Sequence, residues 1–176
     1  AGDAELACKY TRRKLLSAFA SVCLTIQYAH EHEILHRDLK PDNVMLGDFG
    51  EVYVLDWGVA KVVGAKDASP ETDSAVQTLD SGAGPLTQAG SIIGTPGYMA
   101  PEQVRGEPVT QATDVYALGL MLFELLALER PHHGASVEAL LASSLQKLQA
   151  PSERSPNANI PPELDAVCLR ATALDP

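Results

Sequence analysis

Cysteine, basic charge and long apolar runs are all scarce in this 176-residue sequence, and each scarcity removes a class of protein. Its three cysteines, Cys8, Cys23 and Cys168, stand at unrelated spacings. They build neither a disulfide framework nor, with any histidine, a zinc-site pattern, and read as reduced, buried thiols of a cytoplasmic chain. Thirteen Lys and Arg face 23 Asp and Glu, for a net charge of −10. Such a balance gives no electrostatic reason to bind nucleic acid, where phosphate neutralisation dominates affinity. The apolar run at 115–128 is too short to cross a bilayer and is broken by Glu124. A second run, 15–26, follows Lys9, Arg12, Arg13 and Lys14 and mimics a signal peptide. Leu15, Phe19, Val22, Ile26 and Ala29 nevertheless recur at helical spacing through His30, which makes this segment an amphipathic helix. With 45% apolar and 20% charged residues, the composition also excludes a disordered tail or a fibre. The length suits one domain, since a chain near 150 residues buries roughly 70% of its unfolded surface.

What is present divides into helices around a short irregular centre, an α+β, mainly α, chain. A first helix is expected over 9–33. Val44-Met45-Leu46 and Val52-Tyr53-Val54-Leu55 read as two strands, with Gly47-Asp48-Phe49-Gly50 supplying the turn of a hairpin. From 64 to 97 the periodicity vanishes, and seven of the thirteen glycines lie between Gly64 and Gly106. A loop this long inside a compact domain is commonly functional or disordered. Helices return at 114–128, apolar nearly all round and therefore central. Another runs from a Ser136 cap to about 148, and a last one, opened by Pro161-Pro162, runs over 163–174.

The chemistry concentrates in His36-Arg37-Asp38-Leu39-Lys40-Pro41-Asp42-Asn43, directly before the first strand. It matches the pattern H-R-D-L-x-x-x-N, the catalytic loop of protein kinases, and the chain resembles that family. Two acidic tripeptides follow. Asp48-Phe49-Gly50 spells the family's metal-binding D-F-G but sits in the hairpin turn, five residues after Asn43. Asp56-Trp57-Gly58 lies 13 residues after Asn43, where a strand out and a strand back return the chain to it. Asp56 is therefore the expected metal-binding carboxylate, and Asp48 a decoy. Gly94-Thr95-Pro96-Gly97-Tyr98-Met99-Ala100-Pro101-Glu102 resembles the end of a kinase activation segment. Asp114, opening Asp-Val-Tyr-Ala-Leu-Gly, matches the aspartate that anchors the catalytic loop's backbone in that family.

The resemblance implies the large lobe of a serine/threonine kinase of bacterial style. Its expected parts are a catalytic loop 36–43, a hairpin 44–55, an activation segment 56–102 and a helical subdomain 113–176. By the same resemblance Asp38 orients the Ser or Thr hydroxyl of a protein substrate and accepts its proton. Lys40 offsets charge on the transferred phosphoryl group, and Asn43 and Asp56 hold Mg2+ on ATP. Thr95 bonds Asp38 and Lys40 and shapes the substrate site. Arg37 resembles the arginine that pairs with a phosphorylated activation loop. Ser91 and Thr87 are the first candidate acceptors there, with Thr72, Ser74, Thr78 and Ser81 more remote. Phosphorylation of that loop by a second copy of the chain is an expected self-association.

Plainer readings attach to the remaining residues. His36 is expected to pack beneath the metal-binding motif, and Trp57 to be a packing variant of the family's phenylalanine. His30 and His32 read as helix-end residues facing the dipole or solvent. Lys9, Arg12, Arg13 and Lys14 read as a solvated face, and His132 and His133 have no metal-site pattern. The smaller lobe has no counterpart here, because nothing before His36 resembles G-x-G-x-x-G-x-V or V-A-I-K. In the family an arginine beyond the position of Pro176 pairs with the glutamate at Glu102. Both ends therefore look cut, and the isolated chain is expected to have little activity. The rivals are a pseudokinase that only binds, and a small-molecule phosphotransferase of the aminoglycoside-kinase type. Localisation is expected to be cytoplasmic, or the cytoplasmic part of a membrane-tethered chain.

Overall fold

The computed structural model describes residues 10–62 and 93–175. Helix α1 (Arg12–Glu31) begins where the Thr11 hydroxyl accepts the Lys14 amide, satisfying one of the four donors a helix start leaves open. Three of its inward residues, Val22, Ile26 and Ala29, keep the helical spacing and are buried. Then come β1 (Ile34–Leu35), β2 (Val44–Leu46), β3 (Val52–Val54) and β4 (Lys61–Val62). They form two antiparallel pairs. The expected hairpin is β2 with β3, in the register Val44 opposite Val54 and Leu46 opposite Val52. The second pair, β1 with β4, was not foreseen: strands of two residues carry no readable period.

The rest is helical: α2 (Pro101–Arg105), α3 (Gln111–Ala127), α4 (Val137–Ser144), α5 (Pro151–Arg154) and α6 (Pro162–Ala171). Helix α3 starts three residues before Asp114, because Thr110 caps the Ala112 amide while Thr113 bonds back to the Thr110 amide. Ser136 caps α4 as expected, but that helix stops at Ser144 rather than near 148. Helix α6 ends at Ala171 rather than 174.

Helix α3 is the centre. One side meets Phe19, Leu148, Cys168 and Leu164 around Leu120, Phe123 and Leu126. The other carries Ala117, Leu118 and Met121 against Val22, Ile26, Leu39 and the inner hairpin residues Val44 and Val54. At Gly119 the contact with α6 is so close that a Cβ would sit 2.7 Å from Thr172 and 2.8 Å from Ala171. Here the Cys168 thiol donates to the Gly119 carbonyl. Burial, then the charge of Asp165, pushes that thiol up to about 12, which makes it an inert core residue. Among the described residues no helix is long and apolar enough to cross a membrane.

Candidate active site

The loop between β1 and β2 has almost no regular structure, so side chains fix its backbone. Asp114, buried in the first turn of α3, supplies most of that restraint. Its Oδ2 accepts the His36 amide at 2.9 Å and its Oδ1 accepts the Arg37 amide at 2.8 Å. Oδ2 also lies 2.8 Å from His30 Nε2. His30 is thus drawn inward onto Asp114 rather than left facing the helix dipole or solvent. His32, by contrast, bonds the Tyr28 carbonyl and packs on the exposed Tyr28 ring.

Arg37 leaves this anchor at φ +69°, a left-handed conformation that costs a side-chain-bearing residue roughly 1–2 kcal/mol. Asp38 follows and meets two partners, one near it in sequence and one far away. Lys40 Nζ donates to Asp38 Oδ2 at 2.9 Å and to Thr95 Oγ1 at 2.6 Å. The Thr95 hydroxyl donates in turn to Asp38 Oδ1 at 2.7 Å. Asp38, Lys40 and Thr95 therefore close a ring of hydrogen bonds across 57 residues of chain. Each carboxylate oxygen keeps a second lone pair for an incoming hydroxyl.

Asn43 ends the turn Pro41–Asn43 and is buried. Its side-chain amide donates to the Asp38 carbonyl at 2.8 Å, which leaves its Oδ1 oxygen for another ligand. The Leu55 amide donates to the Asn43 carbonyl at 2.8 Å, so the hairpin brings Asp56 back to one residue past that pairing. Asp56 is exposed and left-handed at φ +60° and ψ +63°. Asp48 lies in the hairpin turn, closed by the Gly47 amide on the Glu51 carbonyl at 2.8 Å. Phe49 beside it is 95% exposed. His36 is buried under the returning strand, its Nε2 3.0 Å from the Leu55 carbonyl and its ring 4.7 Å from that of Trp57. Trp57 also donates to the Val54 carbonyl.

Other residues add contacts at or near the site, and of these Gln103 was not singled out by sequence. Gln103, in α2, bonds the Arg37 carbonyl. Met45 and Tyr53 are cross-strand partners, each about half exposed on the outer hairpin face; the alternation of strand side chains was the available signal. Tyr98 donates its hydroxyl to Glu124; burial first, then Glu124, pushes this phenol up, so it remains a donor. Glu102 accepts from Thr113 at 2.6 Å. Arg12 bonds the carbonyls of Ala158 and Asn159, so it ties α1 to the segment after α5 instead of standing in solvent. A cavity of about 680 Å³ between the start of α1 and the hairpin tip contains none of Asp38, Lys40, Asn43, Asp56 or Thr95. The candidate acceptors at 72–91 lie outside the described residues.

Strand, loop, hairpin and capped central helix define a protein kinase domain, and the family model of that domain matches residues 4–173. The chain belongs to the protein kinase family. Its relatives include the serine/threonine-protein kinase PknD of Chlamydia pneumoniae, 41% identical over 172 residues, 98% of this chain and 18% of that protein. PknD of Chlamydia felis is 42% identical over 163 residues, 92% of this chain and 17% of that protein. PknD of Chlamydia muridarum is 39% identical over 176 residues, 98% of this chain and 19% of that protein. The chain thus spans less than a fifth of the length of these relatives.

Proposed function

We propose that this chain, as part of a complete kinase domain, transfers the γ-phosphate of ATP to serine or threonine hydroxyls of proteins. The observation that carries this reading is the closed ring of Asp38, Lys40 and Thr95 at bonding distances of 2.6–2.9 Å. Phosphoryl transfer needs little covalent chemistry from the protein, so placement of charge does most of the work. Asp38 takes the acceptor hydroxyl by a free lone pair and receives its proton. Lys40 is held by two oxygens and turns its remaining donor capacity to the phosphoryl oxygens. Thr95 keeps carboxylate and ammonium in register.

The donors Asn43 Oδ1 and Asp56 fit Mg2+, a hard cation that takes oxygen ligands and few protein groups. Bound there with ATP, the ion would neutralise phosphate charge. Met45 and Tyr53, on the same hairpin, offer an apolar surface for the purine. Residues 56–102 act as the activation segment in this reading, with Arg37 and a phosphorylated loop residue as its switch and a second copy of the chain as one source of that phosphate. The protein substrates and any tether to a membrane belong to the whole protein. The sequence contains no Gly-rich phosphate loop and no V-A-I-K lysine, so the 176 residues alone should transfer little.

The test is labelled-phosphate transfer from ATP to a generic basic protein by the complete domain. Asp38→Asn should lower the rate by about 10³-fold or more, within the range reported for removing a central catalytic group. Transfer that survives this change, or that goes to aminoglycosides instead of protein, overturns the reading.

A further inference from the structure

Gln103, the third residue of α2, belongs to none of the motifs that mark the family. Its Oε1 accepts the Ala100 amide at 2.9 Å, capping the helix. Its Nε2 donates to the Arg37 carbonyl at 2.8 Å and to the Ile93 carbonyl at 3.0 Å. The three partners fix the orientation of the amide, because carbonyls only accept and a backbone N–H only donates. One planar group thus joins the loop before Asp38, the stretch leading to Thr95, and the turn into α2.

The Arg37 carbonyl is half of the peptide whose other half is the Asp38 amide. Asp114 holds the two amides before it, while Asp38 N makes only a 3.4 Å contact with His36 Nδ1. Gln103 therefore sets the plane of the peptide from which the Asp38 side chain departs. Gly94 keeps the space for this arrangement: at φ +126°, a Cβ there would lie 3.1 Å from both Gln103 Nε2 and Met99 Cγ. Ile93, bonded to the same nitrogen, is two residues from Thr95. A shift of the 93–95 stretch is thereby felt at Asp38 by two routes, the Thr95 hydroxyl and the Gln103 amide.

The geometry points to Gln103 as a positioning residue that aims Asp38 and makes its aim depend on the end of the activation segment, a role that rests on the kinase reading of Asp38. In the complete kinase domain, Gln103→Glu keeps the acceptor for Ala100 but turns a carboxylate oxygen toward two carbonyls. A displacement near 1 Å at a reacting group lowers rates on the order of 10²-fold, so kcat should fall about 10- to 100-fold. The KM for ATP should stay within about 2-fold, because Asn43 and Asp56 are untouched. Amide hydrogen exchange at residues 36–39 should accelerate in the folded variant. Gln103→Met, which removes all three bonds without adding charge, is the second variant and should reproduce both effects. The role is overturned by a folded variant with wild-type kcat or wild-type exchange at 36–39, by a loss expressed through KM alone, or by unfolding of both variants. If the wild-type domain transfers no phosphate, the kinase reading fails by itself. Exchange at 36–39 then still decides whether Gln103 pins the peptide: faster exchange in the variants supports it, and unchanged exchange overturns it.

Discussion

The loop region over residues 34–62 and the central helix α3 both fix a backbone, but by different means. The loop region has strands of two or three residues and left-handed backbone at Arg37 and Asp56. Its shape comes from named polar atoms: the Asp114 carboxylate, the Asn43 and Gln103 amides, the His36 ring. Helix α3 is held by volume, with Leu120, Phe123 and Leu126 buried from neighbours on α1 and α6. A directional restraint can be cancelled by changing one atom, whereas a packed one fails in proportion to the space emptied. Substitutions in the first region should alter what the protein does, and those in the second should alter only how much of it is folded.

The largest expected effect on stability joins the two regions. Asp114→Ala leaves the His36 and Arg37 amides and His30 without their acceptor. At 1–3 kcal/mol for each orphaned group, the loss should reach about 5 kcal/mol in urea unfolding, and the proposed transfer by the complete domain should be abolished. A wild-type midpoint would break the distinction. Phe123→Ala should cost about 4 kcal/mol. In the complete domain the proposed transfer rate per folded molecule should be unchanged; a lower rate would mean that the core also aims the site.

A buried histidine sharpens the contrast. His36 has partners at both ring nitrogens, whereas His132 has Ser143 at Nδ1 and no partner at Nε2. Burial first, then the charges of His133 and Arg154, lowers His132 to about 4. Its folded value lies below the ordinary 6.5. The neutral ring is therefore tolerated above pH 6.5, and stability falls as pH drops from there toward 4, by roughly 3 kcal/mol. His132→Phe should flatten that pH slope in urea midpoints measured from pH 7 to 4. Smallest in stability, Asp56→Gly should raise it by about 1 kcal/mol through relief of the left-handed backbone, while phosphate transfer is lost. A simultaneous loss of stability would place Asp56 among the structural groups.

The sequence was legible where chemistry fixes spacing. His36 through Asn43 and Thr95 can be read because they stand in runs that resemble the kinase motifs, and the hairpin because its strands alternate around a glycine-bearing turn. That Asp56, and not Asp48, returns beside Asn43 needed only the length of that hairpin. Less was readable where partners are backbone groups distant along the chain. Gln103 finds Arg37 66 residues away, and Arg12 finds Asn159 147 residues away, through carbonyls that every residue possesses. His30 was misread for a related reason: its position at a helix end is local, but its partner Asp114 is 84 residues distant.

One carboxylate of α3 takes hydrogen bonds from α1, through His30, and from the loop, through His36 and Arg37. None of these three pieces can loosen without stranding the others, so they should melt together as one cooperative block and not peel away in turn. Heating would then extinguish the chemistry in a single step, with no partly frayed, partly working intermediate along the way.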